Sequence, residues 1–193
     1  RIDYVEGCDF DGEARSEFAR AAAVARAADL VVLCVGEKRG WSGENASRAG
    51  LALPSIQEEF VREMARTGRP VVVLLSSGRP VDVRGIEPAA DALVEIWQPG
   101  TEGGSAVADV LFGDRLPEGR LTMSFPYTVG QVPVYYNGFS TGRPIDREWS
   151  DQRYLSRYID IPNAPLYPFG FGLHYTTVTY GKPVLSAPSM TEE

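Results

Sequence analysis

Apolar positions along the chain fall into two rhythms. Three short runs, LVVLCV at residues 30–35, PVVVLLS at 70–76 and ALVEIW at 92–97, are apolar almost throughout and rich in β-branched residues. Runs of that length bounded by polar residues predict strands buried on both faces, as in a parallel sheet. The other rhythm is helical. Residues 13–29 are rich in Ala, Arg and Glu and carry Phe18, Ala22, Val24 and Ala25 near helical spacing, which predicts a helix. After Pro54, placed as a first-turn residue, Ile56, Phe60, Val61 and Met64 share one face until Gly68 stops the second helix. The run GTEGGSAVADVLFG predicts a third helix over about residues 103–112, stopped by Gly113. RLTMSF at 120–125 alternates and predicts a strand nearer the edge, and IDYV near the start is a further candidate strand.

Past Pro126 the helical rhythm disappears. Pro, Gly, Tyr and Asn dominate, and aromatic residues recur from Tyr154 to Tyr180. Aromatic side chains bury large areas and are scarce in disordered chains, so this segment is expected to wrap back over the domain. Alternation of helices with buried strands predicts an α/β fold, a mostly parallel sheet sandwiched by helices on both faces, followed by a long irregular aromatic-rich C-terminal segment. Residues 1–185 read as one domain and 186–193 as a linker or frayed end.

Charge and composition narrow the partners. The 193 residues carry a formal charge of −7, and no Lys or Arg stripe is present to neutralise phosphates, which argues against nucleic acid. No apolar run approaches the roughly 20 residues that cross a bilayer, and residues 1–20 lack the apolar core of a signal peptide. A membrane partner is not expected. Arg1 is not an initiator Met, so the sequence reads as a piece of a longer protein. Cys8 and Cys34 are too few for a disulfide framework, lack metal-ligand spacing, and are expected to be small buried hydrophobes.

Candidate chemistry concentrates in VGEKRGWSGENASRAGLALP at residues 35–54, which leaves the first buried strand. Ligands of open α/β sheets bind at the carboxyl ends of strands, and an exposed Trp41 beside the carboxylate of Glu44 suits stacking on a sugar ring. The bland alternative is a solvated charged loop. GTEGGSA could cradle a phosphate at a helix start, but it fits neither nucleotide fingerprint and Glu102 opposes an anion, so a tight structural turn is preferred. His174 is the only histidine; no His-based triad or multi-histidine metal site can be assembled, Ser76 and Ser77 lack a base, and neither metal nor cofactor is expected. Asn45-Ala46-Ser47 is a formal glycosylation sequon, a pattern common by chance.

Several long stretches together resemble the second, α/β-sandwich domain of glycoside hydrolase family 3, especially its bacterial β-glucosidases. They are GE with SGENASRAGLALP at 36–54, GRPVVVLLSSGRPV at 68–81, WQPGTEGGSAVADVLFGDRLPEGRLTMSFP at 97–126, VPVYYNGFSTGRP at 132–144 and SRYIDIPNAPLYPFGFGLHYTTV at 156–178. One departure is His174, where many relatives have Ser. The resemblance implies a preceding (β/α)8 barrel carrying an Asp nucleophile, often a following fibronectin type III-like domain, and a β-linked oligosaccharide or glycoside as substrate. It places the general acid/base at Glu44, with Glu37 as the competing position. Trp41 and Ser42 are then expected to border the leaving-group side, and Arg48 to orient the loop or the Glu. The implied activity is that of a retaining exo-β-glycosidase of β-glucosidase or β-xylosidase type, whose two carboxyl groups stand roughly 5 to 5.5 Å apart. The alternatives are a non-catalytic carbohydrate-binding or structural module of an inactive homologue, and a stand-alone nucleotide-binding domain.

Overall fold

The β-branched runs form a sheet because their neighbours supply one apolar face to cover it. In a computed structural model, which describes residues 1–144, 151–187 and 189, three parallel strands lie in the order β1 (Val31–Gly36), β2 (Val71–Ser76), β3 (Ala92–Glu95). Val31 pairs with Val71 and Val72 with Ala92. Val31, Leu33 and Val35 share a buried cluster with Val71, Val73 and Leu75 and with the helices α1 (Phe18–Ala27) and α2 (Ser55–Ala65). The Ala side chains of α1 at 21, 22 and 25 are short enough to bring its backbone close, while Phe18 meets the Phe60 ring at 5.0 Å. A third helix, α3 (Gly103–Phe112), ends at Gly113 in the left-handed conformation that glycine adopts without penalty.

Several expectations shift in detail. The first helix begins at Phe18 rather than near residue 13, because the chain turns over residues 15–18, with Phe18 N–H on the Arg15 carbonyl at 3.1 Å, and Arg15 grips Glu59 through Nε and Nη2, each at 2.7 Å. Pro54 is the residue that caps α2 rather than the first inside it. IDYV forms no strand. β1 is not buried on both faces: Val32 is 41% exposed, and Cys34 is exposed rather than a buried hydrophobe. α1 and α2 lie on the other side of this strand, against its odd-numbered residues.

The 120–125 segment is also not a strand. It makes one antiparallel bridge, Phe125 to Tyr167, flanked by Leu121 N–H donating to the Phe171 carbonyl at 2.9 Å and Gly170 N–H to the Leu121 carbonyl at 2.8 Å. Its partner, residues 165–172, contains Pro165, Pro168, Gly170 and Gly172, and proline has no N–H to continue a ladder. The C-terminal segment does wrap back. Gln131 is buried and its Nε2 faces the carbonyls of Pro162, Asn163 and Ala164, and Tyr175 Oη donates to the Val110 carbonyl at the end of α3. The expected linker at 186–193 falls mainly outside the described residues. Among the described residues, no helix is long and apolar enough to cross a membrane.

One buried side chain fixes the exit from β1. Gln57, on the first turn of α2, accepts from Gly36 N–H at 2.7 Å and donates to the Gly36 carbonyl at 2.9 Å and the Phe10 carbonyl at 2.7 Å. Gly36 has φ 152°, and a Cβ there would lie 1.9 Å from the Ser76 carbonyl oxygen. Gly36→Ala is therefore expected to destabilise the fold by about 2–4 kcal/mol, since a backbone neighbour cannot swing aside. Urea unfolding checks this, and an unchanged midpoint would contradict it.

Candidate active site

A strand end, a buried carboxylate and two arginines shape the loop that follows β1. Glu37 continues the strand by donating its N–H to the Ser76 carbonyl at 3.0 Å, and its side chain turns inward to 2% exposure. There the carboxylate meets Arg48 Nη1 at 2.8 Å, the Gly78 N–H at 3.1 Å and Arg79 Nε at 3.2 Å. The Arg79 contact is an ion pair whose N–H points off the hydrogen-bond direction. Arg79 also donates through Nη2 to the Trp41 carbonyl. Arg48 donates through Nη2 to the Ala52 carbonyl at 3.1 Å and lies over the Trp41 ring at 4.4 Å. A planar guanidinium can stack and fork at once, which an ammonium cannot.

Of the four sequence-predicted site residues, Trp41, Ser42 and Arg48 are thus held on the loop's inner side. Trp41 is half-buried rather than exposed, with Arg48 against its ring. Ser42 packs where Gly78 leaves room: a Cβ on Gly78 would come within 2.4 Å of the Ser42 hydroxyl. Glu44 stands apart. It occupies a corner of a tight turn closed by Ala46 N–H on the Gly43 carbonyl at 3.2 Å, with Asn45 at φ 60°. Its side chain is exposed and makes no hydrogen bond or ion pair among the described residues. The loop presents one carboxylate outward and ties down the other.

Beneath the loop lies a cleft of about 970 Å³ at the carboxyl ends of the strands, lined by Phe10, Glu37, Lys38, Ser42, Ser77, Trp97 and Gln98 among others. The sequence profile described as "Glycosyl hydrolase family 3 C-terminal domain" matches residues 2–175. The chain belongs to glycosyl hydrolase family 3, as its C-terminal domain. It is 47% identical to a periplasmic beta-glucosidase of Salmonella typhimurium over 90% of its own length and 22% of that protein. To a beta-xylosidase of Formosa agariphila it is 43% identical, over 98% of this chain and 25% of that protein. The crystal structure of a beta-glucosidase from Listeria innocua superposes with a TM-score of 0.83 at 44% identity, covering 87% of this chain and 23% of that one. The chain thus spans about a quarter or less of the length of these relatives.

The cleft of this family 3 domain holds residues that sequence reasoning passed over. Trp97 sits at the end of β3 with φ 48°, its N–H donating to Glu95 Oε1 at 2.8 Å and its carbonyl accepting from Ser76 Oγ at 2.7 Å. Ser77 Oγ donates to the Arg79 carbonyl at 2.8 Å and lies within 3.2 Å of the Glu95 carboxylate. Both serines therefore serve backbone geometry. The strand-end rule that singled out residues 35–54 applies equally to WQPG after β3, and a lone Glu inside ALVEIW was a signal of a buried carboxyl. His174, expected to pack or hydrogen-bond, has a buried Nδ1 with no hydrogen-bond partner among the described residues.

Burial pushes the Glu95 carboxyl up to about 7, against the hydrogen bonds from Trp97 and Ser77 that favour its ionised form, and the charge of Glu37 adds to the rise. The folded chain holds this proton more tightly than the unfolded chain does. Glu95 therefore contributes stability that is full below about pH 4.5 and lost as pH rises through about 7. The loss is on the order of 3 kcal/mol. Glu95→Gln is expected to flatten the fall in unfolding free energy across that window in urea titrations at several pH values; parallel curves would contradict it.

Proposed function

We propose that this domain supplies the general acid/base, Glu44, to a retaining exo-β-glycosidase acting on terminal β-linked sugars, of β-glucosidase or β-xylosidase type. The observation that carries the reading is the disposition of the two loop carboxylates: Glu37 is consumed by arginines, and Glu44 is held outward on a fastened loop, free to meet a substrate. The names of the relatives support the reaction class. The partner is a (β/α)8 barrel of the same protein, contributing the Asp nucleophile, with residues 1–185 as the acid/base domain and a fibronectin type III-like domain as a further possible neighbour.

In the first step the barrel carboxylate attacks the anomeric carbon while Glu44 transfers its proton to the departing glycosidic oxygen. In the second, the Glu44 carboxylate takes a proton from water, whose oxygen attacks the same carbon and releases the nucleophile. Trp41 and Ser42 border the leaving group, and Arg48 holds their loop. No cofactor is needed for either step.

In the full-length protein, Glu44→Ala is expected to slow an unactivated aryl β-glucoside by about 10²–10⁴-fold and to leave a dinitrophenyl glycoside far less affected. Azide should restore turnover as a glycosyl azide of retained configuration, because azide needs no deprotonation to attack. Steady-state kinetics and product analysis check this, and unchanged turnover would move the acid elsewhere. The isolated chain is expected to be inactive on the same substrates.

A further inference from the structure

Three separate segments of the chain meet at Glu37. It follows β1, its Arg48 partner closes the loop, and Gly78 and Arg79 follow β2. Its carboxylate is 2% exposed, with Arg48 and Arg79 at 23% and 19%. A charge so placed is held only while its partners are held, so Glu37 and the arginines fix one another. Both arginines pass the constraint to the loop. Arg79 grips the Trp41 carbonyl before the tip, and Arg48 covers the Trp41 ring and binds the Ala52 carbonyl after it. Only the turn at residues 43–46 hangs between these ties, and Glu44 is its corner.

We infer that Glu37 is a positioning residue whose buried ion-pair clamp with Arg48 and Arg79 sets where the Glu44 carboxyl stands relative to the glycosidic oxygen. The inference rests on the acid/base reading of Glu44. A proton donor displaced by about 1 Å loses much of its effect, and that loss falls on substrates whose leaving oxygen needs the proton. Substrate binding through the barrel is not touched. The clamp also assigns Arg48 a role through the loop rather than on the sugar.

The test uses the full-length protein with phenyl and 2,4-dinitrophenyl β-glucosides, the second needing little protonation. Glu37→Gln is expected to lower the phenyl-to-dinitrophenyl ratio of kcat/KM by about tenfold to a hundredfold, mainly through kcat. Hydrogen exchange should quicken in residues 38–53 and not in α2 or β2. Arg48→Lys, which keeps the charge but loses the fork and the stack, should reproduce the ratio change, and the double variant should be no worse than the poorer single one. A residue that contacted the sugar would instead raise KM for both substrates. Unchanged exchange, or equal losses on both substrates in a protein that melts normally, overturns the inference. Glu44→Ala measured alongside separates the readings. If it loses the phenyl substrate while Glu37→Gln keeps the wild-type ratio, the clamp is overturned and the acid/base assignment stands; if it keeps the wild-type ratio, both fall.

Discussion

Burying the Glu37 carboxylate would forfeit several kcal/mol of hydration if nothing replaced the lost water. Two guanidiniums and a backbone amide replace it, Arg48 from the loop itself and Gly78 and Arg79 from the segment after β2. The interaction therefore does more than neutralise a charge. It decides the path of residues 37–52, because the arginines that meet Glu37 also bind carbonyls and the Trp41 ring within that stretch. Gln57 performs the same service one residue earlier, locking Gly36 to α2. Gln57 and Glu37 anchor the polar loop where it leaves β1, and at its far end Ala52 bridges Asp82 and Leu53 enters the core.

The parallel sheet makes this arrangement possible. β1, β2 and β3 end on the same side, so the residues leaving each strand converge: Glu37 from the first, Ser77 to Arg79 from the second, Trp97 from the third. Two buried carboxyls share this region, and their environments differ. Glu37 has cationic partners. Among the described residues Glu95 has neutral hydrogen-bond partners, the Trp97 amide and Ser77, and desolvation raises its proton affinity.

Much of this was readable in the sequence because it rests on local signals. The α3 boundaries follow from Gly-rich entry and the Gly113 stop, and β2 and the face of α2 follow from their periodicity. What escaped depends on neighbours far along the chain. Residues 120–125 alternate like a strand, yet their partner is a Pro- and Gly-broken segment more than 40 residues away, so only Phe125 pairs. Cys34 reads as buried in an apolar run, but α1 and α2 cover only the other face of β1. The loop at 35–54 was singled out by its position and its resemblance, whereas the contact of Arg48 with both Glu37 and Trp41 spans residues 37–48 and has no periodic signature. The sequence predicts Trp41 as an exposed platform, because composition does not reveal the arginine that stacks on its ring.

If Glu44 is the general acid/base, its turn delivers a carboxyl to one side of a glycosidic bond whose other side faces a carboxylate of the barrel. A structure of the full-length protein with a sugar-shaped cationic inhibitor in its active site measures this directly. The Glu44 carboxyl is expected about 5 to 5.5 Å from the carboxylate that faces the anomeric carbon, with no other acid as near the leaving oxygen. Glu44 pointing to solvent, with a different carboxyl in that place, would contradict it.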